Sequence, residues 1–158
     1  MTINTKNVQG RRELKFQSLD EVIAEAEKLV NSPQTRLLGN KSLDQILNHL
    51  AIATEGSIDG TTIKAPWFIR LVGPFMKGRL LKHKMPAGFK LPVQFEDGYF
   101  PKSASPNDAL QRLRNAVARL QNERMTAKHP VLGQLNHDEW NQLHLRHSEL
   151  HLSFVTTD

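Results

Sequence analysis

The stretch NHDEWNQLHLRHSELHLSF, residues 136–154, decides the fold. It contains a helix start followed by a long stripe of side chains that are expected to face inward. Asn136 can cap the first turn while Glu139 reaches back to it, which is the capping-box pattern. Side chains then recur at helical spacing at Trp140, Leu143, His144, His147, Leu150, His151 and Phe154. The solvent side is expected to hold Asn141, Gln142, Arg146 and Glu149. The segment therefore predicts an amphipathic helix whose buried face carries three imidazoles.

Three imidazoles make a poor hydrophobic core, because each buried ring must find partners for its polar nitrogens. A divalent metal removes that cost, since neutral imidazole is the commonest metal ligand. His147 and His151 are four residues apart, so they project from adjacent turns of one face and can reach one ion. His144 and His147 are three apart and are also neighbours. His147 and His151 fit best, although the spacing does not make the choice of pair unique.

A third ligand is expected from another helix, and His49 in LDQILNHLAIA (43–53) is the candidate. It lies at the edge of that segment's apolar stripe, so it can point toward a neighbouring helix. Three nitrogen ligands leave coordination positions open, as in reactive metal sites. The alternative is that these histidines are ordinary, partly buried residues, and the spacing leaves both interpretations open. The zinc-protease pattern H-E-x-x-H is absent, so no peptidase activity is predicted.

Three further segments carry a helical period, and each begins at a capping pattern. They follow SLDE (18–21), SLDQ (42–45) and SPND (105–108), and the first should end at Asn31-Ser32-Pro33. Four amphipathic helices with one long connection predict an all-α fold, a four-helix bundle.

The long connection, residues 57–104, separates the second of these helices from the third. Residues 65–84 are helical in composition, but Gly73-Pro74 interrupts them, which predicts two short helices or one kinked helix. Residues 85–106 are rich in proline and have no clear period. They are interpreted either as a cover for one end of the core or as a substrate lid. Trp67 and Phe68 are candidates for the wall of a pocket.

Composition narrows the class of protein. The 158 residues predict a single domain in which residues 1–15 form an N-terminal extension. The absence of cysteine excludes disulfides and thiolate metal sites. With no signal peptide and no run of ~20 apolar residues, a cytoplasmic protein without membrane association is expected. The net charge of +5 is modest and spread out, so nucleic-acid binding is not favoured.

Two blocks of this sequence resemble a known superfamily. HPVLGQLNHDEWNQLHLRHSELHL (129–152) resembles the last-helix signature of DinB-like proteins, in particular an uncharacterised branch, and residues 43–53 resemble their second-helix histidine segment. The resemblance implies a four-helix bundle with up-up-down-down connectivity. It also implies a divalent metal, often nickel or zinc, on one histidine of the second helix and two of the last. These positions are His49, His147 and His151, and His144 would line the pocket beside them.

The same resemblance implies a class of chemistry without fixing the reaction. Some members of the superfamily are metal-dependent transferases or isomerases that use low-molecular-weight thiols, and dimers are frequent. The chain departs from the usual pattern at Leu150, where a histidine often stands, and at Phe154, where a polar residue is common. We therefore expect a metal-dependent transferase or hydrolase acting on a small molecule, with no catalytic residue assigned. The alternative is a non-catalytic dimerisation or stress-associated module with a vestigial metal site or weak nucleic-acid binding.

Overall fold

A computed structural model describes residues 2–89 and 93–157, and most of this chain is helical. Its helices are α1 (Leu19–Asn31), α2 (Leu43–Asp59), α3 (Trp67–Lys82), α4 (Val93–Tyr99), α5 (Pro106–Arg119) and α6 (His137–Leu152). The predicted all-α character is confirmed at this level. Within the described ranges, none of the helices combines the length and the apolarity needed to cross a membrane.

Short strands form antiparallel pairs in the segments outside these helices. β1 (Arg36–Leu37) pairs antiparallel with β4 (Val155–Thr156), so that Arg36 lies opposite Thr156. β2 (Lys128–His129) and β3 (Gly133–Gln134) form a hairpin just before α6. His129 shapes the turn of this hairpin, because its Nδ1 accepts from the backbone amides of Val131 and Leu132.

The helices begin where the sequence patterns predict. Ser18 caps α1 and Ser105 caps α5, each accepting from a first-turn amide. At α6, Asn136 accepts from the Glu139 amide at 2.8 Å while the Glu139 carboxylate accepts from the Asn136 amide at 2.9 Å. This reciprocal pair is the predicted capping box, and it fixes where the histidine-bearing helix begins.

One hydrophobic core unites α1, α2, α5 and α6. Its buried members share a position on the inward face of their helix and include Val22, Leu29, Ile46, Leu47, Leu50, Leu110, Leu113, Leu145 and Leu152. A second, smaller cluster joins α3 to the first half of α6 through Leu81, Met125, Leu132, Leu135, Trp140 and Leu143. Because α2 and α6 both face the first core, their side chains are brought together from distant parts of the chain.

α3 is one helix with Pro74 inside it, so the prediction of a single interrupted helix applies and that of two helices is wrong. Gly73 explains how the proline is accommodated against the rest of the protein. The residue is buried, and a Cβ atom at this position would lie 2.0 Å from the carbonyl oxygen of Val131. The backbone of α3 therefore approaches the β2–β3 hairpin more closely than any side chain would allow.

The predicted boundaries of the long connection need two corrections. α2 continues through Gly56 to Asp59, so the connection begins three residues later than residue 57. Residues 85–106 contain α4, a helix of seven residues that the lack of a clear period did not reveal. Residues 90–92 of this stretch lie outside the described chain.

Arg146 and Glu149 were predicted to be exposed, and this is wrong. They are 8% and 6% exposed and form an ion pair at 2.8 Å. Both also hold the backbone of Phe16, since Glu149 Oε1 accepts from its amide at 2.8 Å and Arg146 donates to its carbonyl at 3.0 Å. The segment before α1 therefore covers the face of α6 opposite the histidines. A helical wheel cannot show this, because the covering chain comes from 130 residues away.

Candidate metal centre

Three histidine side chains from two helices converge beside the core. His49 on α2 and His147 on α6 have ring centroids 4.8 Å apart. His151, one turn after His147, lies 4.6 Å from each of the other two rings. One nitrogen from each ring can be chosen so that all three atoms lie within 4.8 Å of one another. The predicted meeting of these histidines is thus what the structure shows.

α6 resolves the choice between the two possible histidine pairs. His147 and His151, four residues apart, share the face that meets α2. His144 turns elsewhere, because its ring stacks on Trp140 with centroids 5.5 Å apart. His144 is therefore not a member of the three-histidine group.

His49 is oriented by the chain that follows α4. Its Nδ1 lies 2.9 Å from the carbonyl oxygen of Tyr99, and a carbonyl can only accept, so Nδ1 carries the proton. The free lone pair is then on Nε2, which lies 3.0 Å from Nε2 of His147. Phe100 stacks on the same ring at 4.0 Å between centroids, nearly parallel to it. Its own ring is 5.8 Å from that of His151.

Residues 99–103 are tied down onto α2 by three side chains. Gln45 donates to the Phe100 carbonyl at 3.0 Å. Asn48, the neighbour of His49, donates to the Pro101 carbonyl at 3.0 Å and to Ser103 Oγ at 2.7 Å. Asp44 accepts from the Ser103 amide at 2.9 Å. Tyr99 and Phe100 are consequently a fixed cover over His49.

The sequence patterns do not single out these supporting residues. The backbone contacts of Gln45 and Asn48 have no sequence signature, because their partners are carbonyl groups in an aperiodic stretch. Only the position of Asn48 directly before a candidate ligand was a usable signal.

Burial keeps the three rings neutral. It lowers the pKa of His49 to about 4, and the nearby charge of Lys41 acts in the same direction. Burial also holds the pKa of His147 well below its usual range, with the neighbouring histidines adding to the effect. The pKa of His151 is lowered well below its usual value by burial, then by His49 and Arg11. A neutral imidazole keeps a lone pair available, which is the form that binds metals.

The remaining candidates lie outside this group. His144 is buried, its Nε2 has no hydrogen-bond partner within residues 2–89 and 93–157, and burial lowers its pKa to about 4. Trp67 is 76% exposed on α3, where its ring packs edge-to-face with Phe68 at 6.1 Å. The pocket-lining roles of His144 and Trp67 stay predictions.

The donor set fits a divalent metal ion. Nitrogens that share one tetrahedral ion at ~2.0–2.1 Å lie ~3.3–3.4 Å apart. The two Nε2 atoms of His49 and His147 are 3.0 Å apart. The widest separation in the group, within 4.8 Å, would shorten by ~1.4 Å when an ion binds. Among the residues that the structure describes, the group holds no carboxylate. Its ligand chemistry is therefore three neutral nitrogens, with positions left for exchangeable ligands.

The fold and the site together define a class, a helical protein with a partly buried group of three histidines able to hold a metal. A family model described as Protein of unknown function (DUF1569) matches residues 8–158, and the chain belongs to that family. Comparison with curated proteins and comparison with solved structures each found no match. The family description assigns no activity, so a function has to be argued from the site itself.

Proposed function

We propose that this protein is a metal-dependent enzyme of DinB-like architecture, with the ion held by His49, His147 and His151. The observation that carries the proposal is the convergence of the three rings, with nitrogens within 4.8 Å, from helices far apart in the sequence. Imidazole ligands suit zinc, nickel, copper and iron, and the resemblance to DinB-like proteins favours zinc or nickel among these. The reaction would be a transfer or hydrolysis on a small molecule, with a low-molecular-weight thiol or water as nucleophile.

The packing supports the architectural part of the proposal. α1, α2, α5 and α6 share one core, and the long segment containing α3 and α4 connects the second of these helices to the third. That arrangement suits a four-helix bundle with up-up-down-down connectivity, formed by the whole of residues 1–158 as one domain.

The chain's own residues would prepare the site for this chemistry. When bound, a divalent ion on three neutral imidazoles offers open positions at which a thiol or a water loses its proton readily. The Tyr99 carbonyl holds the Nδ1 proton of His49 and so keeps Nε2 free. Phe100 lies against the His49 ring and shields that side from water. A protein base beside the ion is unnecessary in this scheme, which agrees with a ligand group that contains only histidines.

The metal is tested by elemental analysis of protein purified without a histidine tag. We expect close to one equivalent of zinc or nickel in the wild-type protein and almost none in the His147→Ala variant. His137→Ala, on the same helix but outside the group, is the matched control and should retain the metal. Equal metal content in the wild-type and His147→Ala proteins would refute the site.

Activity is tested separately from metal content. The metal-loaded protein is assayed for conjugation of small thiols to electrophiles and for hydrolysis of small esters and amides. We expect turnover that is lost in His147→Ala and retained in His137→Ala.

The broad exposed apolar face of α3 favours a second candidate, a non-catalytic dimerisation module with a vestigial metal site. Metal binding without any turnover in the assays above would leave this alternative standing and end the enzymatic proposal.

A further inference from the structure

One face of α3 presents large apolar side chains to solvent. Their spacing repeats every three to four residues, and they are Trp67, Phe68, Leu71, Val72, Phe75 and Met76. Phe75 is 87% exposed and Trp67 is 76% exposed. We call these six residues the α3 face. Neither the proposed metal site nor the two hydrophobic clusters make use of them.

The α3 face is held outward by the rest of the molecule. The opposite side of α3 is docked through Gly73, which lies against Val131, and through Leu81 in the second cluster. Lys77 adds an ion pair with Glu139 at 2.7 Å. These contacts fix the rotation of the helix about its axis. The apolar side chains are therefore presented by a supported helix.

The size of the α3 face matches a protein interface. Taking ~150–250 Å² for each aromatic side chain and their fractional exposures, the six residues expose on the order of 700 Å². The largest apolar patch of a typical monomer is ~300–600 Å². A standard stable interface buries about 800 Å² on each partner. One partner of ordinary size would be enough to cover this face.

Charge surrounds the α3 face without crossing it. Residues 60–95 contain seven lysines and arginines and no aspartate or glutamate. The rest of the chain has 14 basic and 16 acidic residues and is net −2. Lys64 precedes the face, while Arg79 and Lys82 follow it along the helix. An apolar, aromatic centre with a polar, solvent-accessible rim is the composition of a protein–protein interface.

We propose that the α3 face is where a second copy of this chain docks, with the two α3 helices antiparallel across a two-fold axis. Such an isologous contact covers both copies of the face at once and closes after two subunits. Antiparallel packing also places the two basic runs, residues 77–84, at opposite ends of the contact. The apolar centres meet, and the cations stay in water.

The direction in which binding affinity changes with salt distinguishes a second copy of this chain from an acidic partner. Two like-charged rims repel weakly, and salt screens that repulsion, so self-association through the α3 face holds or tightens as salt rises. Binding to an anionic lipid surface or an acidic protein rests on attraction and weakens with salt. The same cations thus give opposite responses for the two kinds of partner.

The test is the oligomeric state of the full chain, measured by sedimentation equilibrium at about 0.05 M and about 0.5 M salt. We expect a dimer whose dissociation constant is unchanged or lower at the higher salt. Phe75→Glu and, independently, Leu71→Glu should each weaken it at least ~10-fold. Both side chains are exposed, so circular dichroism and thermal melting should stay those of the wild type. The control is Ile3→Glu, an exposed apolar residue outside the α3 face, which should leave the dimer intact.

Three results would overturn the proposal. One is a wild-type protein that remains monomeric at both salt concentrations. Another is a dimer that persists in both glutamate variants. The third is a monomer that sediments with phosphatidylglycerol vesicles, is released by salt, and loses this binding on Arg79→Glu/Lys82→Glu while Arg124→Glu retains it. That last outcome would assign the face to an anionic lipid surface instead of a second copy.

Discussion

The carbonyl oxygen of Tyr99 lies 2.9 Å from Nδ1 of His49, and this contact decides which nitrogen of the ring faces α6. The tautomer of a metal-ligating histidine is usually fixed by such a partner on its other nitrogen. Here the partner is a backbone group, so the tautomer depends on the path of residues 99–103 and not on another side chain. Phe100 then completes the support by stacking on the ring.

Removing the Phe100 ring should loosen His49 and weaken metal retention. We expect Phe100→Ala to bind the metal ~10–100-fold more weakly, the range typical for loss of a residue that orients a ligand. The measurement is competition with a chromophoric chelator. Phe89→Ala is the matched control, because Phe89 belongs to the same connection and is 83% exposed. Similar affinities for the two variants would show that the stacking does not support the site.

The buried ion pair of Arg146 and Glu149 should matter far more to stability than an exposed one. Glu149→Ala leaves Arg146 buried without its partner and frees the Phe16 amide, so a loss of ~3–5 kcal/mol in the free energy of unfolding is expected. Glu27 pairs with Arg114 on the surface, so Glu27→Ala is the matched control. It should lower the free energy of unfolding by less than ~1 kcal/mol. Urea unfolding measures both values. Similar losses of unfolding free energy in the two variants would contradict the conclusion that Arg146 and Glu149 hold the Phe16 backbone.

Two glycines of α3 should respond oppositely to the same substitution. Gly73→Ala places a methyl group against the Val131 carbonyl, and the resulting overpacking should cost ~1–3 kcal/mol. Gly78→Ala has nothing within 4 Å of the new atom and gains helix propensity, so it should stabilise by up to ~1 kcal/mol. Thermal melting compares them. A neutral Gly73→Ala would mean that α3 does not approach the hairpin as closely as described.

The metal-free protein should lose stability as the pH falls below neutral. Burial lowers the pKa of His129 and of His144 to about 4, against ~6.5 in an unfolded chain. Between these values the unfolded state binds protons that the folded state refuses, so stability falls as pH drops from ~6.5 toward ~4 and is level above ~6.5. The urea midpoint at pH 7 and pH 5, with chelator present, measures this change.

A variant at His144 checks the assignment of that pH dependence. His144→Leu should show a smaller loss between pH 7 and pH 5 than the wild type, because one of the buried titrating rings is gone. His83→Leu, at an exposed position, should keep the wild-type difference. If His144→Leu loses as much stability between pH 7 and pH 5 as the wild type does, the His144 ring does not contribute to the pH dependence.

Short-range sequence patterns were sufficient to predict the features of the fold that depend on neighbouring residues. Capping residues and apolar spacing placed the starts of α1, α2, α5 and α6, because a helix terminus is decided by a few neighbouring groups. The spacing of His147 and His151 likewise predicted that they share a face. The resemblance of residues 43–53 and 129–152 to a known superfamily pointed to the third member, His49.

The parts that sequence reasoning missed depend on contacts between distant segments. Arg146 and Glu149 look like solvent-facing residues until residues 10–17 are laid over them. α4 is short, and it is held from outside through the ion pair of Glu96 with Lys41 and through the bonds of Gln45 and Asn48 to the residues that follow it, so its own sequence carries little helical signal. Trp67 and Phe68 were predicted to line a pocket, and their high exposure had no signal in the sequence.

The rings of His49 and His147 are separated by 98 positions along the chain. An ion held between them would act as a cross-link that closes a loop of nearly two thirds of the protein. Such a bond cannot form while the chain is still being synthesised up to α5, since α6 has not yet left the ribosome. Metal uptake would therefore follow the synthesis of α6, and a chain that stops before His147 would remain without it.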